Sequence, residues 1–373
     1  MALKGRATVE ATAAYASRLQ PPCATEHFRL GTGGLTLSSL GMGTYLGAPD
    51  DATDERYLAA IQRVLAAGIN VIDTAVNYRH QRSERVVGQA LAAAVRAGTV
   101  RREEVVLATK GGFVPFDGAA PPDPRRWVYE HYIEPGLVHP HEFVASYHHC
   151  LAPDFLDMMI ELSRRNLGVE TIDIYYLHNP ETQRINNSHD TFRQRMRDAF
   201  ETLEAAVERG VIGCYGVATW SGFRSPPDAP DYLSITELMG LAFEVAGEAH
   251  HFQAVQMPYN LIMAEAYALS NQQLGETFAS PIEVAAELGL TVMTSASLKQ
   301  GTLASPFMTD LSPYFPGLST DAQRALQFAR STPGVTVALV GMSQAEHVEE
   351  NLVLTTVPPL PPEKVAAMFS PPM

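Results

Sequence analysis

Residues 69–88, INVIDTAVNYRHQRSERVVG, decide how the rest of the chain is read. Ile69, Val71 and Ile72 form a short apolar run of the kind that makes a buried strand, and the run ends on an acid, Asp73. Tyr78 follows in the next loop. Ser83 and Glu84 then open an amphipathic helix whose apolar face carries Val86, Val87 and Leu91. Two later strand-like runs end on Lys110 and His178. Four ionisable side chains, Asp73, Tyr78, Lys110 and His178, therefore come from three successive strand ends and one loop.

Outward from this stretch, strands and helices alternate. Strand-like runs lie at 42–46, 105–110, 171–178, 212–219, 254–260, 290–298 and 335–342. Helical spacing falls near 54–67, 83–97, 154–167, 191–209, 232–246, 281–288 and 321–331, and again from Ser343. With 69–73 this makes eight strands, nearly all apolar, which indicates a parallel sheet covered by helices. An open doubly wound sheet would show a Gly-rich turn after an early strand, and there is none. The pattern predicts a single (β/α)8 TIM barrel.

The two short runs around Gly31–Gly34 predict an N-terminal β-hairpin that plugs the barrel's N-terminal end. The domain division expected is a loosely attached arm at 1–26, a barrel at 27–357 and an irregular tail at 358–373. A long insertion, 112–153, follows the third barrel strand and falls on the active-site face.

Composition narrows the function. A formal charge of −14 argues against a nucleic-acid or anionic-membrane surface, since both need concentrated Lys and Arg. Cys23, Cys150 and Cys214 are odd in number and far apart, neither a disulfide framework nor a zinc spacing. No apolar run is long enough to span a bilayer, and the first residues show no signal peptide. The expectation is a soluble, cytoplasmic protein of undetermined oligomeric state.

In a barrel the C-terminal strand ends share one face, and that face holds the active site. Singly, the four residues have bland uses: a helix cap, a surface lysine, a half-buried aromatic, a core histidine. Together at consecutive strand ends they have a chemical one. A Tyr hydroxyl titrates near 10, too high for efficient acid catalysis, and a neighbouring ammonium lowers it while Asp73 keeps Lys110 charged and oriented. His178 can donate a hydrogen bond to a carbonyl oxygen. The set suits proton delivery to a carbonyl as a hydride arrives from elsewhere.

These residues and their contexts resemble the aldo-keto reductase family. The likeness runs from RLGTGGLTLSSLGMGTY to VEENL, through GINVIDTAVNY, SERVVG, ATKGG, TIDIYYLHNP, IGCYGVATW, VQMPYN and GVTVALVG. The resemblance implies hydride transfer between a nicotinamide cofactor, usually NADP(H), and a small-molecule aldehyde or ketone. Tyr78 would be the general acid, Lys110 and Asp73 its tuning pair, and His178 the carbonyl orienter.

The resemblance also implies a cofactor set: Asn179, Thr219 and Gln256 toward the nicotinamide amide, and Leu298 and Gly301 along the pyrophosphate. Two positions depart from the family. Ala218-Thr219 stands where Ser-Asn is usual, and Ser295 replaces the Tyr that stacks under the nicotinamide. At the adenosine end, Gly341 and Ser343 lead into a helix on which Ser343 and Glu346 have capping-box spacing, and its N-terminus is an anion site. Glu350 and Asn351 match the family's adenine-side pair. His347 takes the position where an Arg would grip the 2′-phosphate. NADP(H) is the favoured cofactor, with NAD(H) possible.

The insertion's Arg125, Arg126, Trp127, Tyr129, Tyr132 and Tyr147 make it either a lid and substrate wall or a segment with its own small core. Its histidines, His139, His141, His148 and His149, are matched by no strand-end carboxylates, so no metal site is expected. Two other readings stand beside the reductase. One is a non-catalytic nucleotide-binding sensor or partner subunit on the same fold. The other is a metal-dependent barrel hydrolase or lyase, which lacks the needed His-x-His strand end.

Overall fold

The computed structural model describes residues 2–304 and 310–369. Eight parallel strands close into a barrel: β1 (Leu40–Gly43), β2 (Val71–Asp73), β3 (Val106–Gly111), β4 (Ile172–His178), β5 (Ile212–Ala218), β6 (Phe252–Pro258), β7 (Thr291–Ser295) and β8 (Val337–Gly341). Closure comes where β8 pairs with β1, Gly341 opposite Gly43. The helices of the outer ring are α1 (Asp51–Ala66), α2 (Arg82–Arg96), α3 (Pro153–Leu167), α4 (His189–Glu208), α5 (Ile235–Ala246), α6 (Pro281–Glu287), α7 (Asp321–Ser331) and α8 (Ala345–Leu352).

Strand parity positions the site. Side chains alternate between the two faces of a strand, so every second residue points into the barrel. Val71, Ala108, Tyr176, Ala254, Met293 and Leu339 pack together in the interior. One step further along the same parity come Asp73, Lys110, His178, Gln256, Ser295 and Gly341. The polar residues of the strand ends are thus the next interior layer, at the end where the apolar filling stops.

The opposite end is plugged as the sequence predicts. Phe28–Leu30 and Thr36–Ser38 pair antiparallel, and Leu37 from this hairpin joins the interior cluster.

The first residues do not form a loose arm. Thr8 caps the helix Val9–Arg18 by accepting from Ala11 N, and Tyr15 on that helix is fully buried, its hydroxyl donating to Leu65 O at 2.7 Å. Ala7 N donates to the Asp173 carboxylate at 2.6 Å. Burying a side chain of this size stabilises by about 1.5–3 kcal/mol, which is what holds the segment down. The tail also departs from the expectation of irregularity. Pro362–Ala367 is a short helix with proline in its first turn, and Val365 is buried. No helix among the described residues is long and apolar enough to cross a membrane.

Candidate active site

A cleft of about 730 Å³ opens over the C-terminal strand ends. Asp73, Tyr78 and His178 line it, with Lys110 buried directly behind them. The register puts His178 beside Ala218 and Ala218 beside Gln256 across β4, β5 and β6. The loops beyond continue the ties: Asn179 N donates to Ala218 O at 2.6 Å, and Thr219 N donates to Gln256 O at 2.9 Å.

Asp73 organises the centre. Its Oδ2 accepts from Lys110 Nζ at 2.6 Å and its Oδ1 accepts from Gln256 Nε2 at 2.8 Å. Lys110 also donates to Thr74 O at 2.9 Å. The ammonium lies 5.0 Å from the centroid of the Tyr78 ring, and the Tyr78 ring meets His178 edge-on at 5.8 Å. Among the described residues the Tyr78 hydroxyl has no hydrogen-bond partner, which leaves it available to a ligand.

The electrostatics differ from the sequence expectation at one point. Lys110 was expected to lower Tyr78; instead Tyr78 is held well above the ordinary phenol range. Burial is the main cause, followed by the Asp73 carboxylate and Tyr45. The Asp73 carboxylate lies against the Lys110 ammonium and opposes its pull toward phenolate. Lys110 is itself lowered by burial, with Asp73 working the other way. His178 is pushed well below its ordinary value by burial first and then by Lys110 and His149. At neutral pH the site therefore presents a neutral phenol and a neutral imidazole.

The remaining predicted positions, Asn179, Thr219, Gln256, Ser295, Leu298, Gly301, Gly341, Ser343, His347, Glu350 and Asn351, all line the same cleft. Several wall residues carry buried polar atoms without a protein partner: Asn77 Oδ1, His178 Nδ1, Thr219 Oγ1, Ser297 Oγ and Asn351 Oδ1. Buried polar atoms are nearly always paired, so these unpaired ones along the wall are free to meet a polar ligand. They are the fit expected of a dinucleotide site.

The predicted capping box at Ser343 is absent. α8 starts at Ala345 after Gln344, whose side chain makes no cap, so the first-turn N–H groups carry no side-chain cap. Among the described cleft residues there is no Lys or Arg.

The insertion separates into two parts. Val114, Val128, Tyr132, Val138, Phe143 and Cys150 form a cluster with Val76, Phe155 and Met159, against which Trp127 and Tyr147 pack. This is the small-core alternative, and none of the aromatics singled out in the sequence lines the cleft. Phe113, at the insertion's root, does.

Sequence reasoning also missed Tyr45, which packs on Tyr78 at 5.0 Å, and Glu181. The buried Glu181 carboxylate accepts from Trp220 N at 2.6 Å and Ser221 N at 3.1 Å, anchoring the loop that carries Trp220 to the cleft mouth. An Asn-Pro-Glu following the strand was its only signal.

The comparisons with known proteins agree with this architecture. The model of the aldo/keto reductase family matches residues 39–313. An uncharacterized oxidoreductase of Bacillus subtilis, YqkF, is 23% identical over 347 residues, covering 92% of this chain and 95% of the relative. A rice protein described as a probable voltage-gated potassium channel subunit beta is 22% identical over 360 residues, covering 91% and 94%. Among solved structures, an aldo/keto reductase from Klebsiella pneumoniae in complex with NADP and acetate superposes with a TM-score of 0.60 at 21% identity, covering 92% of this chain and 94% of that one.

Proposed function

The chain belongs to the aldo/keto reductase family, and on that premise we propose that it is an NAD(P)H-dependent carbonyl reductase in which Tyr78 is the general acid. The observation that carries this reading is the meeting of Tyr78, Lys110, Asp73 and His178 at the floor of a cleft whose walls hold unpaired polar atoms.

The reduced nicotinamide, when bound, supplies the hydride. The rest is done by the chain. His178, neutral, donates a hydrogen bond to the substrate carbonyl oxygen and orients it. Tyr78 passes its phenolic proton to that oxygen as negative charge develops there. Lys110 stabilises the phenolate left behind, and Asp73 holds the ammonium in place and charged.

Thr219, Asn179 and Gln256 would bind the carboxamide, with Ser295 under the ring. Gln256 would thereby tie the cofactor end to the Asp73–Lys110 pair. Leu298 and Gly301 would hold the pyrophosphate. Gly341, Ser343, His347, Glu350 and Asn351 would hold the adenosine end, and the uncapped first turn of α8 would offer N–H groups to a phosphate. NADP(H) is the cofactor proposed, as bound by the Klebsiella relative; the absence of a cation among the described cleft residues leaves room for NAD(H).

A second reading, a non-catalytic nucleotide-binding partner subunit, is favoured by the rice relative's description and by the changes at Ala218 and Ser295. Titration with NADPH and NADH, followed by 4-nitrobenzaldehyde, separates the two. Binding with oxidation of the cofactor supports the reductase; binding without turnover over a panel of aldehydes and ketones supports the partner subunit.

A further inference from the structure

The insertion's root reaches the one strand end on which carbonyl orientation depends. Phe113 and His149, from its two ends, form an antiparallel bridge, with Cys150 N donating to Gly112 O at 2.8 Å and Val114 N to His148 O at 2.9 Å. This neck closes the insertion and brings the His149 imidazole, fully buried, against the end of β4. There His149 Nε2 lies 2.8 Å from the backbone oxygen of His178.

A carbonyl can only accept, so Nε2 carries the proton and Nδ1 is left as an acceptor. Gln183 Nε2 donates to it at 3.0 Å. The Gln183 side-chain oxygen in turn accepts from Arg195 Nη1 at 2.5 Å. The tautomer of His149 is fixed from both sides, and burial lowers its pKa to about 4, keeping it neutral. A continuous chain of hydrogen bonds thus runs from Arg195 on α4 to the peptide of His178.

The packing around this contact is tight. The Phe113 ring stands edge-on at 5.0 Å to both His149 and His178. Gly112 sits at φ 138°, and a Cβ there would come within 3.0 Å of both His149 Nε2 and His178 O. Only bare backbone lets the neck approach this closely. Immediately after His178, Asn179 turns into the left-handed region at φ 49°. The peptide held by His149 is therefore the one at which the chain leaves the strand.

We propose that His149 is a positioning residue for His178, and that the neck of the insertion, rather than its aromatic body, is the part that serves the reaction. The proposal rests on the reading that His178 orients the substrate carbonyl. The Asn179 N–H of that peptide is held by Ala218 O, and without His149 its oxygen end is released, so that the peptide tilts and the imidazole drifts from the carbonyl oxygen. Misplacements of this order cost large factors in rate while leaving binding elsewhere untouched.

The test compares His149→Leu with His149→Gln in the full chain, since Gln restores an N–H donor and Leu does not. Three quantities are read: kcat with 4-nitrobenzaldehyde, the NADPH dissociation constant, and the ring Cε1–H NMR resonance of His178 without cofactor. The expected result is a kcat at least about tenfold lower in His149→Leu, with NADPH affinity unchanged and the resonance shifted. His149→Gln should recover both kcat and resonance. Should His149→Leu fail to fold, Gln183→Leu removes the support from the far side and should move the same two readouts in the same direction. Folded variants with unchanged kcat and an unmoved His178 resonance overturn the proposal. A wild-type chain without turnover, whose His178 resonance still shifts in His149→Leu, overturns the reductase reading and leaves the tie standing.

Discussion

The ammonium of Lys110 lies 5.0 Å from the centroid of the Tyr78 ring, beneath the face of the group proposed to lose a proton. It is also 2.6 Å from the Asp73 carboxylate, and both charges are almost wholly removed from water. In such surroundings neither charge is tolerable alone.

Removing one partner should therefore cost both stability and rate. Lys110→Met leaves a buried carboxylate unpaired and should lose about 3–5 kcal/mol of folding stability by urea denaturation. The double variant Lys110→Met/Asp73→Asn should recover part of that stability and none of the activity. Because Tyr78 is held well above the ordinary phenol range, wild-type carbonyl reduction should keep its rate from neutral into alkaline pH, while alcohol oxidation, which needs the phenolate, should climb with pH. In Lys110→Met the climb should begin at still higher pH.

Thr219 carries a buried hydroxyl with no protein partner. Thr219→Val is close to isosteric, so the cofactor-free protein should be as stable as wild type or slightly more so. The variant should bind reduced nicotinamide cofactor roughly tenfold more weakly, the worth of about one hydrogen bond to a polar ligand. Parallel thermal melts and fluorescence titrations measure the two effects separately.

His347 stands exposed on the wall of the cleft, at the proposed adenosine end, and the cleft has no Lys or Arg among its described residues. His347→Arg should tighten NADPH binding by roughly tenfold through a charge-assisted contact with the 2′-phosphate. NADH, which lacks that phosphate, should bind as before. Equal effects on both cofactors would mean that His347 does not face the 2′ position.

Stability should also depend on three buried histidines. Burial lowers His149 to about 4 and His27 to about 3, and pushes His178 well below its ordinary value. Between those values and the ordinary one near 6.5, the unfolded chain binds protons that the native state refuses. Stability therefore rises with pH through this window and is lost as pH falls from about 6.5 toward 4. The melting temperature should fall across that range, and less steeply in His149→Gln.

The barrel was legible because its strands are nearly continuous apolar runs alternating with helical spacing, and the site because three of those runs end on ionisable residues. Asp73, Lys110 and His178 follow apolar interior positions by one step of the same parity, so the apolar pattern points to them. Irregular segments carry no such period. Trp127 and Tyr132 in the insertion could have faced the cleft or α3, and only the packing against Phe155 decides it. His149 looked like one of several solvated histidines, since nothing in sequence distinguishes it from the exposed His148 beside it. The N-terminal helix was missed because the prolines that follow it read as a break, and its anchor Tyr15 shows only in the packing. The direction of the Tyr78 shift needed three dimensions, because it reflects enclosure more than the identity of its neighbours.

In the proposed reaction Tyr78 delivers the proton. That role is tested by the single-turnover rate of carbonyl reduction by Tyr78→Phe preloaded with NADPH, beside wild type under the same conditions. The rate should be lower by about 10² or more, the contribution of a positioned general acid, with NADPH affinity little changed. A Tyr78→Phe chain that keeps most of the wild-type rate would contradict it.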